Sequence, residues 1–255
     1  MRRKLYVFLA SALVINFLFV YATSKPFDTI QIVSNSSDTS YKVVANNLTE
    51  SNVPVESNTS LYDSLQLNRL NLSRNAFNLA MQGYNKLLSE GRLNNTNLVS
   101  IVDFSLPSSK KRLFVIDLEK KEVVYNTYVA HGRNSGKEMA SEFSNEPESN
   151  KSSLGLYTTG ATYVGKHGFS LKLSGEEKGI NDNANSRAIV MHSAAYVSEA
   201  AIKMQGFIGR SLGCPALPEN IYRPIIEKIK KGSCLFLYSP DKYYAMHSTI
   251  AKKLA

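Results

Sequence analysis

Leu98-Val99-Ser100-Ile101-Val102-Asp103-Phe104, Leu113-Phe114-Val115-Ile116-Asp117-Leu118 and Val123-Val124-Tyr125-Asn126-Thr127-Tyr128-Val129-Ala130 are three runs rich in Val, Ile and aromatic residues. The last two are separated by Glu119-Lys120-Lys121-Glu122, a polar turn of hairpin length. Together they predict a β-meander at the start of a mainly β (α+β) core. Upstream, Phe77, Met81, Tyr84 and Leu88 recur at spacings of four, three and four, the stripe of an amphipathic helix. Ser73 is placed as its N-cap and Gly91 as its stop. This helix belongs to a 61–96 segment that packs on the core without touching substrate. Downstream, the glycines and polar residues from Gly132 to Gly179 predict long loops around short strands, Leu154 to Thr159 and Gly168 to Leu173 among them. Loops of that kind usually shape a site.

The chain has 255 residues, 30 Lys+Arg against 21 Asp+Glu, a net charge of +9 and two cysteines. Two thiols exclude a disulfide scaffold and an all-cysteine zinc site. Arg2, Arg3 and Lys4 precede the apolar run Leu5 to Tyr21, and Ala22-Thr23-Ser24 follows. Residues 1–24 therefore read as an export signal, cleaved or kept as a membrane anchor. Its three positive charges leave +6 on the remainder. Residues 25–60 are rich in Ser, Asn and Thr and read as a tether, in which composition alone generates the glycosylation triplets at Asn35, Asn47 and Asn58. Residues 97–240 read as the main folded domain, the one that would carry any catalytic site. Residues 241–255, with Lys252 and Lys253, read as a basic C-terminal tail in which His247 is solvated. Neither an aromatic RNA platform nor a DNA-reading helix is present, so nucleic acid is not an expected partner.

The chemistry concentrates in Ala188-Ile189-Val190-Met191-His192-Ser193 and Gly209-Arg210-Ser211-Leu212-Gly213-Cys214-Pro215-Ala216. One is an apolar strand ending on an imidazole. The other presents a thiol in a turn between glycine and proline. A thiol is mostly protonated at neutral pH and needs a base such as His192 to become a nucleophile. Gly213 leaves room for an approaching carbonyl, and Pro215 has no N–H. An oxyanion hole from this turn must therefore use the N–H groups of Leu212, Gly213 and Cys214. Each half alone also fits a structural His or a buried Cys.

With Ser211-Leu212-Gly213-Cys214-Pro215 preceded by an isolated His, the chain resembles the murein L,D-transpeptidases of the YkuD type. The resemblance extends to Ala76-Phe77 through Gly83-Tyr84, Asp103 to Ser108, Val115 to Leu118, Ala130-His131-Gly132, Ser152 to Gly155, Lys178 to Ala184 and Gly232-Ser233, roughly residues 73–238. It implies an L,D-transpeptidase-like curved β-sandwich with a few flanking helices, acting as a monomer in the periplasm or cell envelope. It also implies peptidoglycan stem peptides as partners and no cofactor or metal. Cys214 would attack the carbonyl on the L-centre of the diamino acid in a tetrapeptide stem, with His192 as base and then acid. A neighbouring stem amine would complete a 3→3 cross-link, and water in its place would give L,D-carboxypeptidase activity.

Two positions depart from the commonest signature. Leu212 stands where a second His is usual and Ala216 where an Arg or Asn is usual. Arg210 is either the replacement charge for a stem carboxylate or a solvated surface residue, and Ser211 beside it is a further candidate for substrate binding. Ser193 either helps to hold the imidazole, as a Ser there does in some relatives, or is simply a small residue at a strand end. Asn181 and Asn183 are candidates for binding peptide backbone, or members of a capped turn. His131, His167 and His192 offer three imidazoles but no metal-ligand spacing. Cys234 lies in an apolar strand and reads as a core thiol; pairing with Cys214 would silence the nucleophile. Three classes stay in view: the acyl-transfer enzyme, a non-catalytic murein-binding module and a thiol peptidase acting on ordinary proteins.

Overall fold

The structure, a computed structural model, describes residues 58–254. The expected export signal and all but the end of the expected tether lie outside the described residues. Two helices, α1 (Asn58–Ser64) and α2 (Arg74–Ser89), precede the sheet. The Ser73 hydroxyl accepts the Ala76 N–H at the start of α2, and Gly91, at φ +65°, follows its C-cap Glu90. Phe77, Met81 and Tyr84 are buried as their spacing predicts, but Leu88 is 43% exposed and Leu87 takes the fully buried place. The reason is the small-residue line Ala76, Ala80 and Gly83. It brings the helix backbone so close to the sheet that a Cβ on Gly83 would lie 2.7 Å from Leu156. The contact centres on that line and Leu87, and the larger residues flank it.

The strands β1 (Leu98–Asp103), β2 (Leu113–Asp117) and β3 (Glu122–Thr127) form the expected antiparallel meander. Next come β4 (Gly155–Gly165), β5 (Gly168–Gly175), β6 (Val190–Ser193), α3 (Glu199–Gln205), β7 (Ala216–Leu217), α4 (Tyr222–Ile229), β8 (Cys234–Tyr238) and α5 (Lys242–His247). The sheet order is β3-β2-β1-β8-β4-β5-β6-β7. The pairs β1/β8 and β6/β7 are parallel and the others antiparallel. Beyond β3, Ala130 and Gly132 bridge to Ala216 and Ser211 beside β7, so the curved sheet nearly closes on itself. β1, β2 and β8 are buried along their whole length, with α2 against β1 and β8.

Two expectations are corrected. The region read as long loops around short strands contains an eleven-residue β4 and an eight-residue β5. They are joined by the tight turn Lys166-His167, which Gly168 closes at φ +73°. Thr, Gly and Ser in these strands conceal the alternation that Val and Ile would have shown. The C-terminal segment, read as a tail outside the domain, is docked, although His247 itself is exposed as expected. Asp241 caps α5 by accepting the Tyr244 N–H, and the Tyr244 and Ser248 hydroxyls donate to the buried Glu177 carboxylate.

Candidate active site

The parallel pairing of β6 with β7 sets His192 opposite Ala216. Cys214, two residues before Ala216, thereby comes beside Val190. The Val190 N–H donates to the Cys214 sulfur at 3.4 Å, and the thiol donates to the Ala188 carbonyl at 3.7 Å. Ala188 has φ +53°, a left-handed conformation that costs a residue with a Cβ. The strained turn seats the sulfur at the mouth of β6.

His192 is 3% exposed, and its Nδ1 lies 2.8 Å from the Ser193 carbonyl. A carbonyl only accepts, so Nδ1 carries the proton and Nε2 keeps its lone pair. The imidazole is thus oriented by the Ser193 main chain, which corrects the expectation that the Ser193 side chain does so. No hydrogen bond joins the His192 ring to the Cys214 sulfur among the described residues. Instead the His167 ring, from the β4–β5 turn, stacks on the His192 ring with centroids 4.3 Å apart and planes 21° from parallel.

Burial holds the His192 pKa below 6.5; the Ser193 carbonyl opposes this, and His167 and Lys166 add to it. Burial pushes the Cys214 thiol above 9.0, opposed by the Val190 N–H and the Arg187 and Lys166 charges. Thiol and imidazole are therefore both neutral at neutral pH, which suits proton transfer during attack rather than a standing ion pair.

The turn around the thiol is fixed from behind. The Ser211 hydroxyl donates to the Cys214 carbonyl at 2.6 Å and accepts the Gly213 N–H at 3.1 Å. Of the expected oxyanion donors, Gly213 is thus already occupied, a correction to that set. Among the described residues the Leu212 N–H makes no hydrogen bond, and the Cys214 N–H is turned towards its own sulfur. Gly213 has φ +124°, and a Cβ there would lie 2.8 Å from the Lys151 carbonyl. The Ser152 hydroxyl donates to the Gly213 carbonyl, and the Ser211 N–H to the His131 carbonyl.

Other candidates fall elsewhere. Arg210 donates to the Arg133 and Gly136 carbonyls and remains exposed at the edge of the turn. Asn181 is fully buried and spends its amide on the Leu154 and Leu156 carbonyls and the Glu177 N–H, so it does not reach a substrate. Asn183 is committed to Asn145 through both its own N–H and its side chain. His131 is turned into the core, so the three imidazoles do not assemble. Among the described residues no group of three His, Cys, Asp or Glu side chains is arranged for a metal ion. Both cysteines are free, and Cys234 is buried in β8 as the core thiol that its apolar strand predicts.

Two residues escaped the sequence reading. Arg187 donates to the Ser144 and Lys151 carbonyls and to the Ser149 and Ser153 hydroxyls, bracing the loop under Gly213. A lone guanidinium in an Asn/Ser run just ahead of the strand was its only signal. Tyr196 carries a phenol pushed up to about 12 by burial and then by Cys214. Its carbonyl accepts the Gly209 N–H, tying the segment after His192 to the one before Cys214.

The family described as the L,D-transpeptidase catalytic domain matches residues 68–238. No curated protein matches the chain. Among solved structures, an L,D-transpeptidase from Mycobacterium smegmatis is 13% identical with a TM-score of 0.34, over 56% of this chain and 59% of that one. An L,D-transpeptidase from Stackebrandtia nassauensis is 12% identical with a TM-score of 0.34, over 67% of this chain and 69% of that one. The helical cell shape determining protein Pgp2 (K307A mutant) from Campylobacter jejuni is 12% identical with a TM-score of 0.39, over 72% and 63%. The chain thus spans about 59% of the length of the Mycobacterium smegmatis enzyme. With the matched region running from the approach to α2 to the end of β8, and so enclosing both His192 and Cys214, the chain belongs to the L,D-transpeptidase catalytic domain family.

Proposed function

We propose that the protein is a peptidoglycan L,D-transpeptidase that forms 3→3 cross-links through a Cys214 thioester. The observation that carries this reading is the parallel pairing of β6 with β7, which brings the Cys214 turn against the strand of His192, together with the hold of the Ser193 carbonyl on Nδ1–H, which leaves Nε2 as the base. The Cys214 proton passes to Nε2 as sulfur attacks the carbonyl on the L-centre of the diamino acid in a tetrapeptide stem. The Leu212 and Cys214 N–H groups meet the oxyanion. Collapse expels D-alanine, whose amine takes the proton from Nε2, and a thioester remains. A stem amine then attacks the thioester, gives its proton to Nε2, and Cys214 leaves as the thiol. Water in place of that amine gives L,D-carboxypeptidase activity from the same site. Residues 1–24 support work in the cell envelope, cleaved or anchored, and the remaining +6 suits an anionic wall.

Mass spectrometry of the protein incubated with purified tetrapeptide stems tests the reading. The expected result is an adduct on Cys214 that is short of D-alanine, followed by dimer or trimmed stem. A murein-binding module would retain affinity in Cys214→Ala and never show the adduct. A general thiol peptidase would cleave L,L peptides and ignore stems ending in a D-residue.

A further inference from the structure

The β4–β5 turn contributes a side chain that neither the sequence reading nor the family match assigns. The hairpin runs out past the sheet: Tyr163, Val164, Gly165, Lys166 and His167 are all exposed, Val164 to 81%. Yet the His167 ring lies flat on the His192 ring, at 4.3 Å and 21°. An exposed turn that ends in a face-to-face stack on a 3% exposed imidazole is the reverse of what free solvation produces. Ser193 fixes one edge of the His192 ring through Nδ1. It leaves rotation of the ring about its bond to the chain restrained on that edge alone.

We infer that His167 is a positioning residue for His192: it clamps the face of the ring and so aims Nε2 at the Cys214 sulfur. The inference rests on the proposed role of His192 as the base. When His192 accepts the thiol proton it becomes a cation lying on an aromatic face, which stabilises it. A proton on His167 instead opposes one on His192. The charge that acts on His192 besides His167 is Lys166, on the same turn; Arg187 and Tyr196, on the segments flanking β6, act on Cys214 or are acted on by it. On α4, Tyr222 lies 4.0 Å from where a Cβ on Gly168 would stand, and Arg223 lies over Phe169. The atoms of His167 form and break no bond in the reaction.

The test uses the full chain with His167→Ala, which removes the ring, and His167→Phe, which keeps a stacking face without a titratable nitrogen. Two rates are followed against pH: acylation by tetrapeptide stem, and alkylation of Cys214 by iodoacetamide, to which the buried Cys234 is closed. In His167→Ala both rates fall about 3- to 10-fold, the ratio a stacked aromatic pair is worth, with the melting temperature unchanged. In His167→Phe the rates recover, and the acid limb moves to higher pH because the opposing imidazole is gone. Unchanged rates and an unchanged acid limb in His167→Ala overturn the inference. So does an equal loss in both variants, since the stack would then be irrelevant. If stem never acylates even the unaltered protein but the alkylation rates differ as stated, the transpeptidase reading fails and the role of His167 stands.

Discussion

The Arg112 guanidinium, wholly buried, donates to Nδ1 of His131 at 2.7 Å. It also donates to the Val129 and Leu106 carbonyls and lies over the Phe104 ring. Because Nδ1 accepts, His131 carries its proton on Nε2, which faces the Gly136 carbonyl. The His131 carbonyl in turn holds the Ser211 N–H of the nucleophile turn. The pair thus braces, from the core, the turn that carries Cys214 three residues further along the chain.

Arg112→Met should therefore destabilise the protein by about 3–5 kcal/mol, since it strands a buried imidazole and buried carbonyls together. Urea denaturation measures the loss. A change within about 0.5 kcal/mol, the size expected of an ordinary surface substitution, would show that water replaces the guanidinium.

Burial, with the Arg112 charge adding to it, pushes the His131 pKa down to about 4 from 6.5. The group is depressed in the folded state, so its contribution is complete above pH 6.5 and is lost as pH falls towards 4. The loss should reach roughly 3 kcal/mol across that range. Burial raises the Asp103 and Glu177 pKa values, which acts in the opposite sense. The measurement is thus the difference in acid sensitivity between the unaltered protein and His131→Phe, which should be flatter.

Activity should have its own pH signature. With the His192 pKa held below 6.5, the acid limb of kcat/KM lies below pH 6.5. With the Cys214 thiol raised above 9.0, ionisation of that thiol adds no change below about pH 9. An acid limb above pH 7 would contradict the buried, Ser193-held base.

Gly213→Ala should leave the sheet intact and cost about 2 kcal/mol, because φ +124° disfavours a Cβ that would meet the Lys151 carbonyl. Acylation should fall much further, by about 100-fold, since the turn that aims the sulfur must shift. Comparing denaturation midpoints with single-turnover rates separates the two effects.

The meander and α2 were legible because their burial is one-sided or complete and their residues show it. Leu88 was misread because a helix that approaches through Ala76, Ala80 and Gly83 centres its contact on small residues, which a pattern of large ones cannot reveal. The β4–β5 hairpin had a readable signal in Gly165-Lys166-His167-Gly168, hidden by strands built from Thr, Gly and Ser. Cys214 and His192 stood out in the sequence, and the folded chain brings their strands side by side. Asn181 misled for a physical reason: a polar side chain beside a catalytic-looking motif was needed inside, to satisfy the backbone entering β4. Ala188 gave no sign, since alanine seldom marks a left-handed turn.

The sheet order carries one more consequence. β8, the last strand along the chain, sits between β1 and β4. Until Tyr238 has been made, β1 and β4 have no shared neighbour: the meander and the half that carries β4 to β7 meet through the Ala130 and Gly132 bridges, while the edges of β1 and β4 stay open. The domain therefore cannot assemble progressively from its beginning. It closes in a late step that joins residues more than 130 positions apart, such as Val99 and Cys234. A chain cut short anywhere before β8 would expose two unpaired sheet edges and hold a correctly spelled but unsupported active site.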